Sequence, residues 1–310
     1  MKTILIFDSK KSLLLLTPMT DYTAVYILIG LAIGLAYVLS KRSLNNSNHG
    51  VRLPKRDFPQ KWRRILEDEI EFYQRLNSKD RKRFEHKMHI FLLNVRIVGM
   101  QISVSNKDRV LISASAIIPI FGFPSWHYSY LNEVHLYPNK FPIQKTDQMA
   151  HGLVGFGEME GVLKLSRKAL YEGYADQNDQ RNVAIHEFIH ILDKQDGDVD
   201  GVLERVMSED DITPWLHIIH RKMKEIEGGN SSIRDYGATN RAEFLAVVGE
   251  FFFESPEKMK IEHPGLYSAL DSIFNPKVQL RHKYTKKNEP CPCGSGRKFS
   301  RCCAKNSRSY

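Results

Sequence analysis

Ala184-Ile185-His186-Glu187-Phe188-Ile189-His190-Ile191-Leu192-Asp193 decides how this chain is read. On a helix, His186 and His190 stand four residues apart, so both imidazoles leave one face at a separation that a single tetrahedral Zn²⁺ can bridge. Glu187 lies about 100° round the helix from His186. Its carboxylate falls beside such a metal rather than on it, where it can take a proton from a metal-activated water. Ile185, Phe188, Ile189, Ile191 and Leu192 cover most of the remaining circumference, so the helix is expected to be buried. Two histidines and a glutamate on a buried helix are costly unless something binds them. Asp193, three residues past His190, returns to the ligand face, where it could accept the second ring N–H of a ligating histidine.

Two histidines leave zinc short of a third protein ligand. A second helix, predicted from about Arg241 to Glu254, is the best supplier: Glu243, Glu250 and Glu254 fall near one face, and Leu245, Val248, Phe251, Phe252 and Phe253 make the rest apolar. Glu243 has a competing role, because Asn240 can cap the helix with Glu243 at the third position of a capping box. That would leave Glu250 as the ligand. Tyr236 lies on the approach to this helix, where a phenol can donate to an oxyanion.

These two stretches, His186–Asp193 and Asp235–Pro256, together resemble the Mlc titration factor A family of zinc-dependent peptidases over roughly residues 60 to 276. The resemblance implies a gluzincin-like fold with His186, His190 and Glu243 as zinc ligands, Glu187 as general base and Tyr236 near the reacting carbonyl. It favours Glu243 over Glu250 and leaves Glu250, like Asp193, to hold the ligands from behind. It also implies that an upstream loop histidine, here His151, occupies a further zinc position in a latent form. A transcriptional repressor is the regulatory partner the family name suggests, beside a peptide or protein substrate.

The ends of the chain depart from that family. Residues 22–40 are nineteen consecutive uncharged residues, just long enough to span a bilayer. Lys41, Arg42, Arg52, Lys55 and Arg56 follow, against Lys2, Lys10 and Lys11 before, a bias that keeps the C-terminal side in the cytoplasm. The run is longer than a usual signal core and no small-x-small cleavage site precedes Lys41, so an anchor is preferred to a cleaved leader. A soluble cytoplasmic protein is the alternative. At the other end, Cys291, Cys293, Cys302 and Cys303 are the only cysteines of the chain. Their C-x-C and C-C pairs, with Gly294 and Gly296 between, resemble the SEC-C zinc-binding module, and four thiolates can close a tetrahedral structural site. The body therefore forms no disulfide, which suits a reducing compartment.

Charge separates the tail from the body. The formal charge of +9 comes from residues 277–310, which hold ten Lys and Arg against Glu289; the rest balances at 35 basic and 35 acidic. Direct DNA binding is not expected of such a body, whereas the basic tail is suited to an acidic protein or ribosomal partner.

Helices are predicted at 59–76, with Ser78 capping the next at 78–98, and at 167–174 and 215–227; strands at 102–105, 110–118, 133–137 and 162–165. Residues 145–161 read as a long glycine-bearing loop containing His151. Asp196-Gly197-Asp198-Val199-Asp200-Gly201 invites a calcium-loop reading, but the twelfth position from Asp196 is Met207 rather than an acid, so it is taken as a polar turn.

The fold expected is α+β: a zincin-like metallopeptidase domain with the active-site helix packed on a small sheet, plus an N-terminal transmembrane helix and a small zinc-binding tail. Its parts are an N-terminal segment (1–21), the membrane helix (22–40), a linker (41–58), the peptidase domain (59–276), a basic linker (277–287) and the SEC-C-like motif (288–304). One catalytic and one structural Zn²⁺ are expected. The rival reading is a non-catalytic regulator-binding protein whose zinc is structural; the intact Glu187, which such a site does not need, tilts the choice to the enzyme.

Overall fold

The computed structural model describes residues 51–123, 126–143, 146–275 and residue 298. The expected span at 22–40 and the cysteine tail lie outside them. Among the described residues no helix is long and apolar enough to cross a membrane.

The first predicted helix is broken in two, α1 (Gln60–Glu69) and α2 (Glu71–Gln74), because the fully buried Ile70 adopts an extended backbone between them. Asn77, not Ser78, caps α3 (Ser78–Asn94), its side chain accepting from the Lys79 and Asp80 amides. That helix stops at Asn94, and Arg96–Gly99 runs on as strand β1 where the helix was expected to continue.

Val110 to Ile118, read as a strand, belongs to helix α4 (Asn106–Ile117). Ser105 and Asp108 form a reciprocal capping box at its start. The Ser113 and Ser115 hydroxyls are satisfied by the carbonyls of Arg109 and Leu111, so the helix can be buried on nearly every side. Residues 102–105, also read as a strand, make the approach to this cap.

The sheet is centred on β2 (Glu133–Tyr137). β1 pairs with it in parallel, Arg96 opposite Glu133. After the short antiparallel pair β3 (Phe141–Pro142) and β4 (Met149–Ala150), strand β5 (Gly152–Val154) leads to β6 (Val162–Ser166). β6 is parallel to β2 and antiparallel to β5, giving the order β1-β2-β6-β5 with β5 at an edge. The predicted loop 145–161 thus contains the strand that ends the sheet.

Helices follow: α5 (Arg167–Ala175), α6 (Val183–Asp193), α7 (Glu209–Glu227), α8 (Arg241–Glu254), α9 (Pro256–Glu262) and α10 (Pro264–Phe274). α6 packs on β5, β6 and α8. The approach of α6 to α8 depends on Gly249, where an added Cβ would sit 2.3 Å from Ile189 Cδ1. Phe188, Phe244, Phe251 and Phe274 join one continuous core around these helices, a mixed helix-and-sheet arrangement that buries the helix bearing the two histidines.

Candidate metal centre

Asn182 starts α6 by accepting the Ile185 amide, and Asn240 starts α8 by accepting that of Glu243. The capping half expected of Asn240 is therefore present, yet the Glu243 carboxylate turns to the histidines. His186 Nε2 is 3.0 Å from Glu243 Oε2 and 3.1 Å from His190 Nε2, and His190 Nε2 is 3.4 Å from the same carboxylate oxygen. Metal bonds of 2.0–2.2 Å in a tetrahedron set donors about 3.3–3.6 Å apart, so this triangle, a few tenths of an ångström tighter, can take a zinc ion by a small outward shift. Two imidazole nitrogens aimed at each other beside one carboxylate oxygen are better explained by a shared cation than by hydrogen bonds alone. Among the described residues this is the one cluster of such donors, and His151 is not part of it.

Glu250 stands behind His186. Its Oε1 is 2.8 Å from His186 Nδ1, and its Oε2 accepts the Asn182 amide at 2.6 Å. A carboxylate on Nδ1 fixes the tautomer that leaves Nε2 free to bind metal. Arg234 in turn bonds Glu250. Asp193 does not share this work: its Oδ2 accepts the Gly201 amide, its Oδ1 has no partner among the described residues, and His190 Nδ1 is likewise unpartnered. The acid three residues past His190 instead ties the end of α6 to the next loop, because the chain turns away there.

The electrostatics follow the same pairs. Burial works against a charged His186, but the carboxylates of Glu243 and Glu250 outweigh it and raise its pKa to about 10. Burial also works against ionised Glu243, yet hydrogen bonds with His186 and His190 hold it well below the usual carboxylate range. Glu187 is different: burial raises its pKa, so its carboxylate is a stronger base than an exposed one. Burial and the neighbouring Glu243 push Tyr236 up to about 12. Its ring lies 6.0 Å from that of His186, on the 3-10 turn Asp235–Ala238 that packs against α8, and about half of the residue is exposed.

The strand side of the site comes from residues that carry no chemistry of their own. Gly152 abuts Glu187; a Cβ there would lie 2.5 Å from Glu187 Oε1. His151 precedes it, its carbonyl accepting the Ser166 amide. Burial lowers its pKa, and the charges acting on it are Lys140, Glu172 and Lys168 rather than the metal donors. Sequence reasoning missed Gly152, Arg234 and Asn182. Only Asn182, a good cap one residue before Val183, left a signal.

Comparison with known proteins adds the following. The family described as glucose-regulated metallo-peptidase M90 matches residues 43–275, and the SEC-C motif matches residues 288–305. An uncharacterized protein of Synechocystis is 30% identical over 238 residues, covering 72% of this chain and 86% of that protein. Mlc titration factor A of Escherichia fergusonii is 24% identical over 255 residues, covering 77% and 94%. That of Serratia proteamaculans is 25% identical over 194 residues, covering 57% and 73%.

Proposed function

Because the chain belongs to the glucose-regulated metallo-peptidase M90 family, we propose that it hydrolyses peptide bonds with His186, His190 and Glu243 holding one Zn²⁺ and Glu187 acting as general base. The observation that carries this is the donor triangle with Glu187 beside it. Three protein donors are one fewer than a closed structural zinc site takes. Bound zinc supplies Lewis acidity to a water and to the scissile carbonyl. Glu187, buried against Gly152, removes the water's proton and returns it to the leaving amine. Tyr236 donates to the oxyanion, a role its high pKa suits because the phenol keeps its proton. Glu250 and Arg234 hold the His186 ring.

The substrate lies along β5. The Gly155 amide bonds Val162 and the His151 carbonyl bonds Ser166, so by antiparallel alternation the backbone groups of Gly152 and Val154 point to the free edge. An extended peptide can add to that edge as a further strand, which brings its backbone past Glu187.

The second reading comes from the relatives' name. Mlc titration factor A is named for titrating Mlc; carried to this chain, the protein would bind a repressor of that kind and need no catalysis. The tail would hold a second, structural zinc through Cys291, Cys293, Cys302 and Cys303.

One experiment separates these readings. Full-length protein and Glu187→Gln are compared for peptide hydrolysis and zinc content. The base is expected to be worth at least about 10²-fold in rate, with two zinc ions in both proteins and one after removal of residues 288–310. Equal hydrolysis by the two proteins would remove Glu187 from the mechanism, and no hydrolysis by either would leave the binding role.

A further inference from the structure

One turn of α6 beyond Glu187 lies a cavity that the reaction itself does not use, lined by Ile191 of that helix and by Val154 of β5. It encloses about 220 Å³, less than the roughly 300–1,000 Å³ of sites that take a whole small ligand, so its capacity suits a single side chain. Leu131, Val154 and Ile191, all buried, give it an apolar lining. The charges around it cancel, Lys194 and Arg205 against Glu160 and Asp196.

Three of those charges are already engaged. The Lys194 ammonium donates to the Gly155 carbonyl at 3.1 Å, lies 4.3 Å from the centre of the Phe156 ring and is 3.6 Å from Glu160. The Asp196 carboxylate accepts the amides of Asp198 and Glu204. An occupant therefore meets hydrocarbon and compensated charge, which favours an apolar group over an ion.

The cavity's distance from the chemistry follows from the rise per residue along both walls. On the helix side, Ile191 lies one turn beyond Glu187 on the same ridge, and Lys194 is seven residues on, about 10 Å at 1.5 Å per residue. On the strand side, Gly152 touches Glu187 and Gly155 borders the cavity, three residues and again about 10 Å at 3.3 Å per residue. Val154 shares the strand face of Gly152, since it is two residues on. A peptide paired with β5 at the same rise thus brings the residue about three positions from its cleaved bond over the opening.

We infer that this cavity is a specificity subsite, taking a large apolar side chain, aromatic or leucine-like, of a peptide substrate about three residues to one side of the cleaved bond. The inference rests on the peptidase reading and on β5 as the docking edge.

Two readouts test it. Full-length protein is first allowed to digest a pool of proteome-derived peptides, and cleavage sites are read by mass spectrometry. Enrichment of Phe, Tyr, Leu or Met two to four residues from the cut, on one side, is expected. Cleavage without such enrichment overturns the subsite and leaves the peptidase reading standing, whereas absence of any cleavage removes both. Next, one well-cut peptide is made with Phe or Ala at the enriched position and bound to Glu187→Gln protein. Burial of the aromatic side chain is expected to tighten Kd at least about tenfold; equal Kd values, or no binding of either peptide, overturn the subsite. Val154→Phe fills the cavity and is expected to bring the Phe-to-Ala ratio below about threefold. An unchanged ratio in a folded Val154→Phe protein would show that the side chain binds elsewhere.

Discussion

The two walls of the cleft are built by opposite means. The helical wall, α6 and α8, carries every donor atom on side chains: His186, His190 and Glu243 face one another, and Glu250 holds His186 from behind. The strand wall offers backbone and space, with Gly152 abutting Glu187 and the edge groups of β5 open to pairing. Side-chain chemistry at helical spacing is visible in a sequence. A backbone edge acquires meaning only when the sheet is assembled, so the second wall is readable only in three dimensions.

If the walls divide the work in this way, substitutions on the helical side should act on the chemical step and those on the strand side on alignment. The largest effect is expected from Tyr236→Phe, which deletes an oxyanion donor while keeping the ring beside His186. Loss of one such donor costs on the order of 10²- to 10³-fold in kcat, with KM little changed. A fall confined to KM would move Tyr236 from the chemistry to substrate binding, and the contrast between the walls would blur.

Gly152→Ala tests the opposite wall. The new methyl would lie 2.5 Å from Glu187 Oε1, so either the base or the edge strand must shift. A displaced base loses rate steeply, and we expect kcat/KM to drop about tenfold to a hundredfold with zinc content unchanged. Should zinc be lost as well, the strand supports the metal centre itself and the division between walls is wrong.

The helical wall also carries a cost. Glu254 is buried on α8 with both carboxyl oxygens unpartnered among the described residues. Burial, then repulsion from Glu250, pushes its pKa up to about 9. A carboxyl whose folded pKa exceeds its unfolded value near 4.3 takes up a proton on folding. Its contribution to stability is full below about pH 4 and is lost as pH rises toward 9. Glu254→Gln is therefore expected to stabilise the protein by on the order of 2 kcal/mol at pH 8 and by much less near pH 4.5, measured by urea unfolding. Equal or lower stability at pH 8 would mean that Glu254 is ionised and paired in solution.

The same contrast explains which parts of the fold were legible. Helix α8 runs from Arg241 to Glu254 as its apolar spacing predicts, and β2 and β6 begin where expected, at Glu133 and Val162. Val110–Ile117 was misread because a continuous apolar run has no period to distinguish a buried strand from a buried helix. The deciding signal was the Ser105–Asp108 capping box, which begins at the last residue of the stretch read as the preceding strand. At the site, His186, Glu187 and His190 announce themselves by spacing. The choice of Glu243 over Glu250 was not decided by helical periodicity, since both fall near one face of α8. It depends on how α8 lies against α6: the earlier glutamate meets the Nε2 atoms and the later one meets Nδ1.

His151 should give the smallest effect, and it bears most directly on the strand wall. As a latent zinc ligand it would have to reach His186, His190 and Glu243, yet it stands outside their cluster. Its carbonyl is paired with Ser166, and Lys140, Glu172 and Lys168 act on its ring. Its neighbour Gly152 points at Glu187, and successive residues of an extended strand face opposite ways. Bringing the imidazole to the metal would then require β5 to turn over or unpair from β6, at the cost of its ladder bonds. From this placement, half-buried and outside the donor cluster, His151→Ala is expected to change kcat/KM by less than about threefold. A rise of tenfold or more, with zinc still bound by the body, would instead establish that β5 moves and that His151 holds the peptidase latent. The strand wall would then be the moving part of the cleft and the helical wall its fixed frame.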